Sequence, residues 1–348
     1  MATEKIAPDA ARRFNPLENP NWDALLTSRP DFSFFHGTAW LKVLAGSYGF
    51  KPHFFSEGNA VLPLMEADSW LTGRKGIALP FTDECGPLGA DKESFSKMFA
   101  DAVAFGKTRG WKAIELRGGK EFFGAEVPAS VSFYGHEIDL TVGENLLSEK
   151  MDSSVRRAVR KAEKDGVKVE LSSSWEAMQE FFRLQCLTRK RHGLPPQPWD
   201  FFLNIHRCVL SQNLGTVAVA SHGGKKIAAS VYFFLGGRAI YKYGASDFAH
   251  QQLRGPNLVM WEAMKWLTRN GAQSLDLGKT ALANEGLRRF KLQLGAREKT
   301  VAYVKFDLRR NSFVTETDGV AGWHNKVFSA LPSWLSQAAG NFLYRHWA

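Results

Sequence analysis

Residues 216–246, TVAVASHGGKKIAASVYFFLGGRAIYKYGAS, contain three apolar runs that follow one another with only short turns between them. The runs TVAVAS, KIAASVYFF and RAIYKYGAS are rich in β-branched and aromatic residues, which predicts three strands. The turns between them are HGG at 222–224 and GG at 236–237, and tight glycine turns are typical of antiparallel neighbours. This stretch therefore predicts a mixed, largely antiparallel sheet and argues against a doubly wound parallel sheet.

Helices and strands alternate on both sides of this stretch. Amphipathic periodicity predicts helices in ESFSKMFADAVAFGKTRG at 93–110 and in LVMWEAMKWLTRNG at 258–271, and runs such as WKAIELRG and SLDLG predict strands. A chain of 348 residues is longer than one ordinary domain. We therefore predict an α/β (α+β) fold in two domains, residues 1–150 and 151–310.

The segment 311–348 contains WHNKVFSALPSWLSQAAGNFLYRHWA, which is rich in Trp, Phe and Leu. That apolar surface is too large to be left in water. We predict that the segment packs back on the first domain, with contact to a membrane surface as the alternative.

Composition narrows the class of protein. Hydrophobic residues make up 44% and charged residues 23%, which is typical of a globular chain, and the net charge of +10 favours acidic partners such as nucleic acid, phosphorylated substrates or anionic membrane. A solvated basic surface is the alternative.

Three cysteines without a CxxC pair and nine histidines without HxH or HExxH predict a reducing compartment and no metal site. The N-terminal MATEKIAPDAARRF lacks the apolar core of a signal peptide, so we predict a cytoplasmic location, at most peripheral to the inner face of the membrane.

One loop has the pattern of an anion site. The strand ending at Ser246 leads to QLRGPN at 252–257 and then to a helix, whose N-terminal N–H groups can hold a pyrophosphate. This order resembles the acyl-CoA loop of GNAT acyltransferases, Gln/Arg-x-x-Gly-x-Gly/Ala. Asn257 replaces the last small residue, and Pro256 removes one donor. The predicted donor-binding residues are Ser246, Gln252, Arg254, Gly255 and Asn257.

The order of several longer stretches resembles the Fem-type peptidyltransferases. They are RxxRKAEKDGVKVE at 157–170, TRKRHGLP at 188–195, SVYFFLGGRAIYKYGAS at 230–246, GPNLVMWEAMKWLTRNG at 255–271 and DLGKTALANEGLRRFKLQLGA at 276–296. SFFHGTAWLKVLAGSYGFKP and CGPLG in the first half agree more weakly. The resemblance covers most of the chain and is strongest from Val155 to Lys305.

The resemblance implies two tandem GNAT-like domains and transfer of an acyl or aminoacyl group to an amine. The best-known members take the group from aminoacyl-tRNA and extend the peptide of a peptidoglycan precursor, so tRNA and a lipid-linked glycan or peptide acceptor are implied partners. Others lack a demonstrated donor, so acyl-CoA stays open. An acetyl-CoA-dependent N- or O-acetyltransferase acting on exopolysaccharide is the enzymatic alternative. A non-catalytic RNA- or glycan-binding module is the alternative of another class.

The short helix in GLRRFKLQLGA, at 286–296, places a lysine on its apolar side. Leu287, Phe290, Lys291 and Leu294 share one face. One interpretation is that Lys291 snorkels, so that its ammonium reaches water. In the Fem-type family the matching Phe-Lys pair lies at the reaction centre, which implies that Lys291 stabilises the negative charge on the carbonyl oxygen.

Other candidates surround this helix. Asp276, at the end of SLDLG, is predicted to orient the attacking amine or to cap the next helix. Tyr241 and Tyr243 alternate with Lys242, which predicts that both tyrosines share one face of a strand, for substrate binding or core packing. Arg156, Arg160 and Lys164, with Arg157 and Lys161 beside them on the same helix, are predicted to contact phosphate or to form a solvated face. The predicted substrate-binding residues are Tyr241, Tyr243, Phe290, Lys279, Arg157 and Arg160, and the predicted catalytic residues are Lys291 and Asp276.

Overall fold

The computed structural model describes residues 13–315 and 333–347, which form two compact units. The first unit comprises residues 13–133, 300–315 and 345–347, and the second comprises residues 134–299 and 333–344. The described chain passes from one unit to the other at residues 133–134 and 299–300, each inside a strand, and again at residues 344–345. The predicted domain boundaries after residues 150 and 310 stay predictions.

The helices and strands are as follows. The α-helices are α1 (Trp22–Thr27), α2 (Thr38–Tyr48), α3 (Lys92–Thr108), α4 (Gly143–Lys150), α5 (Ser153–Lys164), α6 (Trp175–Arg191), α7 (Trp199–Cys208), α8 (Gly255–Arg269), α9 (Glu285–Gln293) and α10 (Ser333–Leu343). The strands are β1 (Arg13–Phe14), β2 (Lys51–Pro52), β3 (Phe54–Glu57), β4 (Ala60–Leu62), β5 (Met65–Ser69), β6 (Gly73–Ile77), β7 (Ala113–Arg117), β8 (Val131–Asp139), β9 (Lys168–Ser172), β10 (Gly215–His222), β11 (Lys225–Leu235), β12 (Arg238–Ser246), β13 (Ser274–Ala281), β14 (Arg297–Asp307) and β15 (Ser312–Val314).

The first unit is built on a sheet in the order β2-β5-β6-β7-β14, with β15 paired to β14. β6 and β7 are parallel, and the other neighbours in this order are antiparallel. A smaller antiparallel sheet has the order β1-β3-β4. Asp91 caps helix α3 by accepting a hydrogen bond from the Ser94 N–H, and the apolar side of α3 buries Phe95 and Met98.

The second unit is built on a sheet in the order β8-β13-β12-β11-β10-β9. β9 to β12 are antiparallel neighbours, whereas β13 is parallel to β12. Helices α5 and α8 pack on the face that carries Ala218 and Tyr232, and α6 and α7 contribute aromatic side chains to the opposite face around Tyr243. The three strands predicted from residues 216–246 are β10, β11 and β12, so the predicted mixed, largely antiparallel sheet is confirmed.

The C-terminal segment differs from its prediction as far as it is described. Helix α10 packs on α6 in the second unit, and the Tyr344 hydroxyl donates a hydrogen bond to the Pro195 carbonyl at 3.2 Å. Residues 345–347 belong to the first unit. The rest of WHNKVFSALPSWLSQAAGNFLYRHWA, up to residue 332, and Ala348 lie outside the described residues. The apolar composition of the segment predicts that it packs on the protein, but it does not reveal that α10 packs on α6.

Gly76 leaves no room for a side chain in the first unit's core. A Cβ atom at this position would lie 2.2 Å from the Trp111 ring, and the Trp111 indole is itself fixed by a 2.6 Å hydrogen bond to Glu66 Oε2. We expect Gly76→Ala to lower the free energy of unfolding by about 1–3 kcal/mol, because an overpacked core must shift. Urea denaturation measures this change.

Gly286→Ala is the matched control. Its nearest contact would be Asn284 Oδ1 at 3.9 Å, and alanine is the better helix former, so stability should stay the same or rise slightly. Equal stability of Gly76→Ala and the wild type would contradict the expected clash.

Candidate functional site

The two predicted catalytic residues meet at the main chain of Gly278. Lys291 Nζ donates hydrogen bonds to the carbonyl oxygens of Gly278, at 2.8 Å, and Lys279, at 3.1 Å. Asp276 Oδ1 accepts a hydrogen bond from the Gly278 N–H at 2.7 Å. Gly278 has φ of 71°, a left-handed conformation that favours glycine. This local turn inside β13 therefore lets one short segment bind both a carboxylate and an ammonium.

Lys291 is a buried residue, since its exposed fraction is 3%. The snorkelling interpretation is therefore wrong, because the ammonium finds main-chain acceptors inside the protein. The predicted apolar face is also incomplete, since Leu287 is exposed while Leu294 is buried. Asn284 caps α9 by accepting a hydrogen bond from the Leu287 N–H at 3.1 Å, so the interpretation of Asp276 as the helix cap is wrong as well.

A chain of polar contacts close to Lys291 was not predicted from the sequence. His136 Nε2 lies 3.1 Å from Glu298 Oε2, and the same carboxylate accepts hydrogen bonds from Arg288 Nε and Nη2 at 2.8 and 2.9 Å. The Arg288 guanidinium lies over the Tyr134 ring, 4.3 Å from its centre. These contacts connect β8, α9 and β14 within the second unit.

The charge states in this chain follow from its surroundings. Burial, and then the nearby Lys291 cation, lowers the pKa of His136, so the imidazole is neutral near pH 7. The hydrogen bond from Arg288 lowers the pKa of Glu298, which is therefore ionised. A neutral His136 that contacts this carboxylate donates through Nε2. Its buried Nδ1 then has no hydrogen-bond partner among the described residues.

A cleft of about 460 Å³ lies between α5, α9 and the start of α8. Its lining residues are Ser154, Val155, Arg157, Ala158, Lys161, Arg254, Asn257, Phe290 and Gln293. Three of them are cations and none is a carboxylate, so we call it the cationic cleft. Lys161 also forms an exposed ion pair with Asp165, at 2.6 Å, which a bound anion could replace at little cost.

The cationic cleft brings together residues that the sequence predicted for two different roles. Arg254 and Asn257 were predicted to bind the donor, and Arg157 and Phe290 to bind the substrate. Arg160 is exposed on the same helix as Arg157 but lies outside the lining residues. Lys161, one turn after Arg157, was grouped with the candidate phosphate contacts but was left out of the predicted substrate-binding residues.

The start of α8 is shaped by its local sequence. Arg254 adopts φ of 55° at the N-cap, and Gly255 begins the helix. A Cβ atom on Gly255 would lie 3.2 Å from Ile227 Cδ1, so glycine allows α8 to start close to β11. A second cleft of about 200 Å³ shares Arg254 and Asn257 and is also lined by Ser246 and Gly255. Gln252 is exposed and lines neither cleft, unlike the other predicted donor residues.

The pairing of β12 with β13 is short. Arg238–Ile240 pair with Ser274–Asp276, and among the described residues no pairing between these strands follows Ile240. Farther along β12, the main chain of Ser246 is bonded to Thr188, whose Oγ1 accepts from its N–H at 3.0 Å and donates to its carbonyl at 3.1 Å. Asp276 therefore stands at the last paired position, directly before the turn that holds Lys291.

Tyr241 and Tyr243 do not share a face, so this prediction is wrong. Tyr241 lies opposite Tyr232 and Tyr243 opposite Val231, and consecutive residues of β11 point to opposite faces. Lys242 is the extra residue of a β-bulge, which breaks the alternation. Tyr241 therefore packs beside Tyr232 on the face of α5 and α8, and Tyr243 packs among the aromatic side chains of α6 and α7.

Within residues 13–315 and 333–347, no group of three or more His, Cys, Asp or Glu side chains is arranged to hold a metal ion. Over the same ranges, no helix combines the length and the apolar character that a membrane span requires.

Residues 149–292 match the family model of an acetyltransferase (GNAT) domain. The second unit carries a GNAT acetyltransferase domain. The match contains the Gly278 turn, Lys291 and all the lining residues of the cationic cleft except Gln293. The predicted acyltransferase class is confirmed, and with it the interpretation of the chain as an enzyme. No curated protein matches the sequence.

Solved structures share the fold at low identity. FemX has a TM-score of 0.64 at 14% identity, covering 80% of this chain and 94% of that one. The C-terminal domain of a proposed lysylphosphatidylglycerol synthetase from Agrobacterium fabrum has a TM-score of 0.55 at 17% identity, covering 76% and 86%. L-PGS from Bacillus licheniformis has a TM-score of 0.50 at 14% identity, covering 72% and 83%. The predicted fold class and the resemblance to Fem-type and GNAT proteins are confirmed.

Asp276 offers a test of the Gly278 turn. Asp276→Asn keeps an oxygen that can accept from the Gly278 N–H, so the free energy of unfolding should change little. Asp276→Ala removes that acceptor and should lower the free energy of unfolding by about 0.5–1.5 kcal/mol. Chemical denaturation of both variants measures the difference. If the asparagine variant is as destabilised as the alanine variant, the charge of Asp276 matters more than its hydrogen bond.

Proposed function

We propose that this acyltransferase binds a phosphate-bearing donor in the cationic cleft and transfers its acyl or aminoacyl group to an amine of a cell-envelope glycan or peptide precursor. The observation that carries this proposal is the grouping of Arg157, Lys161 and Arg254 beside the start of α8. Cations at a helix N-terminus favour phosphate, because the helix dipole and the side chains attract the same charge. The absence of a carboxylate from the lining supports the same ligand.

The reaction requires a carbonyl group near the amine. The amine nitrogen forms a bond to the carbonyl carbon, and the C–S bond of a thioester or the C–O bond of an aminoacyl ester breaks. The amine loses a proton and the leaving sulfur or oxygen takes one up. Negative charge develops on the carbonyl oxygen in the transition state, so a fixed positive group beside that oxygen accelerates the reaction.

Lys291 is the residue proposed to stabilise that charge. Its ammonium is buried and held by two carbonyls of β13, so little reorganisation is needed when charge develops nearby. Phe290, the preceding residue, lines the cationic cleft. Helix α9 therefore places Lys291 at the Gly278 turn and its neighbour Phe290 in the cleft. Asp276 is proposed to hold the turn at Gly278 and to orient the amine.

The identity of the donor divides the proposal into two branches. The match to an acetyltransferase domain favours acetyl-CoA, and with it N- or O-acetylation of exopolysaccharide as the second candidate. The fold shared with FemX, together with the sequence resemblance to Fem-type enzymes, favours aminoacyl-tRNA. Both donors carry phosphates, so both fit the cationic cleft. A cytoplasmic enzyme working at the inner face of the membrane suits either acceptor.

Donor binding is the direct test of the cleft. We expect intact CoA or a charged tRNA to raise the Tm, and pantetheine, which lacks the nucleotide, to have little effect. A charge-assisted hydrogen bond contributes about 1.5–3 kcal/mol, so the paired change Arg157→Gln and Lys161→Gln should raise the donor Kd at least about tenfold. Arg254→Asn should act likewise, since asparagine tolerates the left-handed conformation at this N-cap.

Lys225→Gln is the control for loss of charge, because Lys225 is exposed at the start of β11 and lies outside both clefts. Incubation with labelled acetyl-CoA, and separately with labelled aminoacyl-tRNA, then distinguishes the two branches when an amine acceptor is present. Wild-type Kd values in the cleft variants would place the donor elsewhere.

Lys291→Met separates catalysis from packing. The variant keeps much of the side-chain volume but leaves the carbonyls of Gly278 and Lys279 without this donor, so some loss of stability is expected in either case. If Lys291 stabilises the reaction's negative charge, kcat falls about 10²–10³-fold while the Kd of the donor changes little. If turnover per folded molecule stays within a few-fold of the wild type, Lys291 serves the structure alone.

A further inference from the structure

The turn between β5 and β6 exposes large apolar side chains. Trp70 is 76% exposed and Leu71 is 54% exposed, and both lie in the turn itself. Trp347 is 48% exposed and follows His346, whose ring lies 5.4 Å from the Trp70 ring. We call Trp70, Leu71 and Trp347 the tryptophan tip. All three residues belong to the first unit.

The tryptophan tip is held in place by polar contacts behind it. Ser69 Oγ lies 2.8 Å from His346 Nδ1 and also accepts a hydrogen bond from the Thr72 N–H at 2.9 Å. Lys112 Nζ donates to the Thr72 carbonyl at 2.8 Å. Ser69 and His346 are buried, although the neighbouring indoles face water. The exposed rings are therefore displayed from a fixed base, which is an arrangement suited to binding another surface.

Charged residues around the tryptophan tip favour an anionic surface. The cations on or against this hairpin are Arg74, Lys75, Arg109 and Lys112, Arg345 directly precedes His346 in the chain, and the carboxylates of the hairpin are Glu66 and Asp68. Glu66 is buried against Arg109, and Asp68 is paired with Arg74 at 2.8 Å. Cations therefore outnumber carboxylates in this set, which gives it a net positive charge.

We propose that the tryptophan tip is a docking surface for an anionic lipid bilayer. Indole rings partition to the interface between headgroups and acyl chains, and adjacent cations attract acidic headgroups. Two indole rings and one leucine side chain offer little apolar surface, which suits a shallow and reversible contact with the bilayer. This surface lies outside the residues assigned to acyl transfer, so it stands or falls independently of the proposed reaction.

Sedimentation with vesicles tests the proposal. The wild type should sediment with vesicles of phosphatidylcholine mixed with phosphatidylglycerol, and much less with phosphatidylcholine alone. Trp70→Ser combined with Leu71→Ser should weaken binding to the mixed vesicles at least about tenfold, because the lost apolar burial drives insertion. Arg345→Gln should weaken it about fivefold, and added salt should weaken the wild type further.

Leu146→Ser is the matched control, since Leu146 is 48% exposed on α4 and lies outside the tryptophan tip. It should bind as the wild type does. Trp347→Ser gives an independent reading of the tip if the paired variant loses its fold, which circular dichroism reports.

The proposal is overturned if the wild type ignores phosphatidylglycerol vesicles, or if the tip variants bind them as tightly as the wild type. A wild-type dimer in size-exclusion chromatography that Trp70→Ser and Leu71→Ser convert to a monomer would also overturn it. That result would assign the tip to a second copy of the chain.

Discussion

The bonds from the Lys291 ammonium to the carbonyls of Gly278 and Lys279 are the interaction on which the candidate site depends. A buried cation is stable only when acceptors surround it, and here the main chain of β13 supplies them. The contact fixes α9 on β13. Helix α9 also carries Phe290, which lines the cationic cleft, and Arg288, which bonds to Glu298. The same contact therefore helps to position both of these side chains.

Much of the fold could be predicted because it is encoded locally. The strands within residues 216–246 follow from β-branched and aromatic runs between glycine turns, and the helix predicted at 93–110 corresponds to α3, Lys92–Thr108. The donor loop was also visible, since a helix N-terminus after a strand has a recognisable pattern. Gln252 shows the limit of such a pattern, because the motif fixes a position in the sequence and not the direction of a side chain.

The parts that escaped prediction depend on contacts between distant segments or on one inserted residue. His136 and Glu298 are 162 positions apart, and neither has a neighbour in the sequence that marks it as half of a pair. The bulge at Lys242 reverses the face of the residues beyond it, yet YKY reads as plain alternation. The acceptors that stabilise the buried Lys291 ammonium could not be predicted for a related reason. They are carbonyls of β13 and not of the helix that carries Lys291.

The bond between Ser69 and His346 joins residues that are 277 positions apart. A ribosome therefore releases the β5–β6 turn long before it makes the imidazole that secures it. The part of β14 that pairs with β7, Tyr303–Asp307, is also translated after the whole of residues 134–299. The first unit is therefore still incomplete when residues 149–292, which match the GNAT domain, have been synthesised.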